Sequence, residues 1–199
     1  MRKTKRPISI TPILLINIFV FAMWTFQFPS NDFMASHFLV SWESLLEGRF
    51  WTLITSVFSH NMLFHIFVNM FVLLSFGPPL ESYLGTRRFV SFYLIAGLIA
   101  SLAHALVSYY LINKPALPAL GASGSLAGVI TVFALIFPRS KILVMGIIPV
   151  PALLGVFLLI GIDVWGLMSQ MEGAGLPIGH GAHLGGAFTG FFYYLQLRM

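Results

Sequence analysis

The sequence predicts an all-α membrane protein built on six transmembrane helices, with both termini on the cytoplasmic side. Three observations carry this prediction. Of the 199 residues, 58% are hydrophobic and only 9% are charged, and the mean hydropathy is +0.90. A soluble domain carries about 25% charged residues, so this chain cannot cover its surface with polar groups and takes the bilayer as its solvent. The apolar residues gather into runs of spanning length, roughly 20 residues each. The basic residues are divided unevenly between the segments that join those runs.

The runs fall at about 9–28, 61–78, 88–112, 121–137, 142–163 and 178–197. The first follows a basic start (Arg2, Lys3, Lys5, Arg6) and has no small-residue cleavage site behind it. A signal anchor or first span is therefore expected, not a cleavable signal peptide. Segment 29–60 mixes Asp32, Glu43, Glu47 and Arg49 with Phe33, Phe38, Trp42, Phe50 and Trp51. That blend predicts an amphipathic element lying in the outer membrane interface. With the N-terminus inside, nine of the eleven Lys and Arg fall on the inner side, and only Arg49 and Lys114 fall outside. Five of the six acids lie outside, with Glu81 the exception. An even number of spans puts both termini inside, and no internal repeat divides the single domain 1–199.

The net charge of +5 would suit nucleic acid in a soluble protein. Here the charges sit in short clusters between apolar runs, so the bilayer is the expected partner and nucleic acid is not. The chain has no cysteine, which excludes disulfides and thiolate metal sites. No metal or cofactor is expected.

Polar side chains are costly inside a bilayer, so those within spans are functional candidates. They are His65 and Asn69 in the second run, Ser123 in the fourth and His183 in the sixth. His60 just precedes the second run, and His104 stands alone in the third and is read as structural. Ser123 lies in Gly121-Ala122-Ser123-Gly124, where a helix begins. Free backbone N–H groups and the helix dipole there favour developing negative charge. A serine so placed can attack a carbonyl while those groups receive the oxyanion. Taken alone, a serine among glycines also serves plain helix packing. His183, in Ala182-His183-Leu184-Gly185-Gly186, supplies a base able to take the serine proton and return it to a leaving amine. Gly186 with Gly190, and Gly124 with Gly128, form small-xxx-small pairs that let two helices approach closely. They are expected to press the sixth helix onto the fourth.

Depth agrees with this pairing. Ser123 and His183 both fall within about two turns of the outer ends of their helices, at 1.5 Å per residue. A second helix starting at Trp51 would put His65 about 21 Å deep, whereas one starting near Asn61, a suitable N-cap, puts it beside the pair. His65 and Asn69 could then donate hydrogen bonds to an oxyanion.

Taken together, these segments resemble the rhomboid intramembrane proteases. Gly121-Ala122-Ser123-Gly124 is similar to the family's GxSG motif. The stretch from His60 to Asn69 resembles its two histidines and HxxxN, Ala182-His183-x-x-Gly186 its AHxxG, and Glu81 with Gly85 its ExxxG. The motifs occur in the family's order across essentially the whole chain. The resemblance implies a six-helix rhomboid-like bundle in which Ser123 is the nucleophile and His183 the general base of a dyad. It implies an oxyanion hole from His65, Asn69 and the Ser123 N–H, and substrates that are transmembrane proteins cut in or beside their spans. It further implies that the fifth span and loop 163–177 gate substrate entry. The compact chain suits a bacterial plasma membrane. Two departures stand out. Trp51-Thr52 replaces the family's Trp-Arg, with Arg49 nearby, and Ala127 replaces the aromatic that supports the histidine.

Other chemistries fit less well. No HExxH is present for a metalloprotease, and no carboxylate sits at helical spacing among His60, His65, His180 and His183. An aspartyl protease needs two intramembrane aspartates; only Asp163 approaches a span, at its expected outer end, where it is too near the surface to complete a triad. Glu81 is expected to pin the second helix to the following loop, with Arg87 or Arg88 as partner. A non-enzymatic, client-binding rhomboid-like protein would be favoured by loss of Ser123 or His183, and both are present. A small transporter would show repeated or broken helices, which are absent from the sequence.

Overall fold

The structure, a computed structural model, describes residues 7–144 and 148–199, and these are mostly helical. Helix α1 (Ile10–Thr25) leads into a chain of short elements: α2 (Asn31–Phe38), α3 (Trp42–Leu46), α4 (Thr52–Thr55) and a 3₁₀ turn at Ser56–Phe58. The remainder is α5 (Leu63–Leu84), α6 (Thr86–Tyr110), α7 (Ser123–Ile136), strands β1 (Lys141–Val144) and β2 (Ile148–Pro151), α8 (Ala152–Met171) and α9 (His180–Arg198). Helices α5, α6 and α8 are long and apolar enough to cross a membrane, and α1 and α7 are shorter apolar helices. Large apolar side chains such as Phe19, Phe64, Phe67, Phe157, Trp165 and Phe188 point outward. Such a surface is at home in lipid and out of place in water.

The short elements hold together by local capping and by ties to the bundle. Ser30 caps α2, and Ser41 and Ser44 form a reciprocal capping box on α3. Val40 pairs through its backbone with Ala119, and the Gly121 N–H donates to the Ser56 carbonyl at 2.8 Å. Arg49 pairs with Glu47 and reaches the Ser36 carbonyl, while the buried Thr52 hydroxyl donates to the Arg49 carbonyl at 2.7 Å. Backbone pairing therefore anchors this element, with Thr52 where the family pattern has arginine.

Three expectations about the helices need correction. Helix α5 starts at Leu63 with Met62 at its cap, so Asn61 does not cap it, and it runs through Pro78 and Pro79 to Leu84. Prolines cost a helix a hydrogen bond, but here Leu80, Glu81 and Leu84 beyond them are buried in the core. Glu81 does not meet Arg87 or Arg88. Its carboxylate accepts from the backbone N–H groups of Ile8 and Ser9 and from the Thr86 hydroxyl, tying the start of α1 to the turn after α5.

The largest correction concerns the fifth run. Residues expected as helix from 142 instead form an antiparallel pair, Lys141 opposite Pro151 and Ile142 opposite Val150. Each residue before a proline is driven to extended backbone, and Ile148-Pro149 and Val150-Pro151 do this twice in succession. Helix α8 therefore starts ten residues late, at Ala152, and continues to Met171. Asp163, expected at an exposed outer end, lies about 12 Å inside that end at 1.5 Å per residue. The loop expected at 163–177 is correspondingly shorter, beginning only after Met171.

Helix α7 lies at the centre, in contact with α5, α6, α8 and α9. Its contact with α9 is made by glycines. A Cβ on Gly186 would run into the Gly124 carbonyl, and one on Gly190 would sit 2.6 Å from the Gly128 oxygen. Below this, Leu73, Leu80, Phe89, Phe92, Tyr93, Val129 and Val132 fill the core.

Candidate active site

Ser123 is the first residue of α7, and Gly121, two residues earlier, has φ +120°. That conformation suits glycine, and a Cβ there would lie 2.6 Å from the His65 ring. The turn thus holds His65 close against the backbone that leads into Ser123. Across from it, α9 begins at His180 and carries His183 in its first turn, with the His183 N–H donating to the Gly179 carbonyl at 3.0 Å. The close α7–α9 approach brings His183 Nε2 to 2.9 Å from Ser123 Oγ.

The other ring nitrogen is also engaged. His183 Nδ1 is 2.9 Å from Asp163 Oδ1, and His180 Nδ1 is 2.7 Å from the same oxygen. Asp163, expected too near the surface to join the pair, therefore reaches it, because α8 starts late and runs on to Met171, which places Asp163 inward beside His183. An ionised carboxylate only accepts, so both imidazoles donate from Nδ1. His183 then presents its Nε2 lone pair to the Ser123 hydroxyl. A hydroxyl donating to a neutral imidazole can lose its proton to it.

The remaining candidates surround this pair without bonding to it. Asn69 is buried, and its Nδ2 donates to the His65 carbonyl one turn back at 2.8 Å. The His65 ring stands edge-on to His60, with centroids 4.8 Å apart. His60 is fully buried in the loop before α5, and its Nε2 faces the Ala122 N–H at 3.5 Å. Burial, with His65 beside it, pushes His60 down to about 3, so it is neutral and accepts that long contact. Among the described residues neither His65 nor Asn69 hydrogen-bonds Ser123. His104 does serve structure, its Nε2 bonding the Leu117 carbonyl at 3.0 Å.

Sequence reasoning missed the roles of Asp163 and His180 in this cluster. The signal was present: Asp163 is an acid inside an apolar run, and His180 and His183 share a helix face at i, i+3. The ligand atoms of Asp163, His180 and His183 lie within 4.8 Å of one another, a set of the type zinc takes. Both Nδ1 atoms, however, already face Oδ1 at hydrogen-bond distance, whereas a metal would need their lone pairs turned to itself.

A family model described as the rhomboid domain matches residues 47–199. The chain belongs to the rhomboid family. Rhomboid protein 1, mitochondrial, of Saccharomyces cerevisiae is 34% identical over 91% of this chain and 51% of its own length. RHOMBOID-like protein 12, mitochondrial, of Arabidopsis thaliana is 32% identical over 94% of this chain and 57% of its own length. The human presenilin-associated rhomboid-like protein, mitochondrial, is 31% identical over 93% of this chain and 47% of its own. This rhomboid thus spans about half the length of the curated relatives it matches. Their names correct one expectation: they point to a mitochondrial membrane, not to the plasma membrane.

Proposed function

We propose that this rhomboid is an intramembrane serine endopeptidase. The observation that carries the reading is the 2.9 Å contact between Ser123 Oγ and His183 Nε2 at the start of α7. In this reading Ser123 Oγ gives its proton to His183 Nε2 and attacks the carbonyl of a peptide bond. The oxyanion forms at the N-terminus of α7, where the Ser123 N–H and the helix dipole favour it. His65 and Asn69 are the side-chain donors for it. His183 returns the proton to the departing amine, and water then releases the acyl group from Ser123 by the same route. No metal or other cofactor takes part. The substrates are transmembrane proteins cut in or next to their spans, and nucleic acid is not a partner.

The whole chain 1–199 acts as one rhomboid-like domain. Helices α1, α5, α6, α7, α8 and α9 are its six spans, α2 to α4 lie in the interface, and both termini share the side rich in Lys and Arg. The rhomboid membership and the outward-facing apolar side chains support this arrangement.

Ser123→Ala and His183→Ala are each expected to abolish cleavage of a transmembrane reporter with expression and membrane insertion intact, and a fluorophosphonate probe is expected to label Ser123. Normal cleavage by Ser123→Ala overturns the proposal. A parent chain that cleaves no transmembrane reporter would return it to a non-enzymatic, client-binding role.

A further inference from the structure

The geometry points to Asp163 as the positioning residue for His183, with His180 holding its carboxylate, so that the working unit is a line Ser123–His183–Asp163 and not a dyad. This rests on the protease reading. Its basis is that one imidazole is engaged at both ends. Nε2 meets Ser123 Oγ at 2.9 Å, and Nδ1 meets Asp163 Oδ1 at 2.9 Å. A neutral imidazole has two tautomers, and only the one with its proton on Nδ1 leaves a lone pair facing the serine. The Asp163 carboxylate accepts from Nδ1–H and so selects that tautomer. It also fixes the ring plane and stabilises the imidazolium that forms when the serine proton arrives. No proton passes to Asp163. The serine proton stays on Nε2 until the leaving amine takes it.

Ala127 makes such a residue necessary. A narrow cleft between α7, α8 and α9 is lined by Ala127, Thr131, Val156, Asp163, His183 and Ala187. The small side chains at 127 and 187 give the His183 ring no aromatic support. Asp163 enters the same cleft from α8 and supplies by hydrogen bonding what packing does not.

His180 is the second half of the device. It is 4% exposed, and its Nδ1 reaches the same Oδ1 at 2.7 Å. Gly166, one turn beyond Asp163, makes room for it, since a Cβ there would collide with the His180 ring. Two donors on one oxygen leave the carboxylate little freedom to turn. They also offset the cost of a charge among Val156, Leu159 and Ile160 of the same helix. Because α8 carries Asp163 and α9 carries both histidines, the seating of α8 on α9 sets the orientation of the base.

The test uses the full chain in proteoliposomes with a transmembrane reporter. Asp163→Asn is expected to lower kcat by about 10²–10⁴-fold with KM changed less than about twofold, since the loss falls on the transition state. Asp163→Glu, which keeps the charge, is expected to recover a measurable part of that rate. His180→Leu, which removes one hydrogen bond to the carboxylate, is expected to cost about three- to tenfold. In ¹⁵N spectra of histidine-labelled protein, His183 should carry its proton on Nδ1, and Asp163→Asn should lose that preference whether or not the variant turns over. A kcat within about threefold of the parent in Asp163→Asn, or an unchanged tautomer signal, overturns the assignment of Asp163. An unchanged rate in His180→Leu removes His180 from it. If Ser123→Ala cleaves normally the serine-protease reading fails instead, because another group is the nucleophile, and the tautomer signal still decides whether Asp163 holds His183.

Discussion

Asn69 commits its amide to its own helix, donating to the His65 carbonyl at 2.8 Å, and the His65 ring rests against Gly121. The bond to the His65 carbonyl uses one N–H of the Asn69 amide, whose second N–H can be given to an oxyanion, and such contacts act in the transition state. His65→Ala and Asn69→Ala are each expected to lower kcat by about 10²-fold with little change in KM. Steady-state kinetics in liposomes checks this, and an unaltered kcat takes the residue out of the oxyanion site. At this scale Ser123 and His183 were legible because each sits in a short motif with a chemical reason of its own. Asp163 and His180 were not, because what matters in them is a shared oxygen, and a shared oxygen has no spacing in sequence.

Between elements, the decisive contact is the glycine seam of α7 and α9. Gly186 faces the Gly124 carbonyl with no room for a side chain. Gly186→Val is expected to destabilise the fold by about 1–3 kcal/mol through overpacking and to part Ser123 from His183, abolishing cleavage. Thermal melting together with fluorophosphonate labelling of Ser123 reads both effects, and normal labelling would show that the seam does not set the distance. The small-xxx-small pairs made this seam readable from spacing alone. The β1–β2 hairpin was not readable from hydropathy, because Ile142 to Ile162 is as apolar as a span. Its prolines at 149 and 151 forbid helix locally, yet Pro78 and Pro79 do not stop α5. What separates the two cases is tertiary: burial of Leu80, Glu81 and Leu84 carries α5 past its prolines.

For the molecule as a whole, the charge asymmetry makes a topological prediction. The chain has no cysteine, so single cysteines report side without interference. Lys114→Cys, after α6, and Arg139→Cys, after α7, are expected to react with a membrane-impermeant maleimide from opposite faces. Labelling from one face would break the six-span arrangement.

By itself the sequence determined the membrane class, the order of the long helices, the serine–histidine pair and the faces on which α7 and α9 meet. These follow from composition, run length and residue spacing, all of which are local. Only the tertiary structure decided where α8 begins and ends and, through that, that Asp163 lies beside His183 and His180. Continuing α8 to Met171 puts the Asp163 carboxylate about 12 Å inside the helix end at 1.5 Å per residue. Hydropathy is nearly unchanged by where the helix ends, whereas hydrogen-bond geometry depends on it entirely.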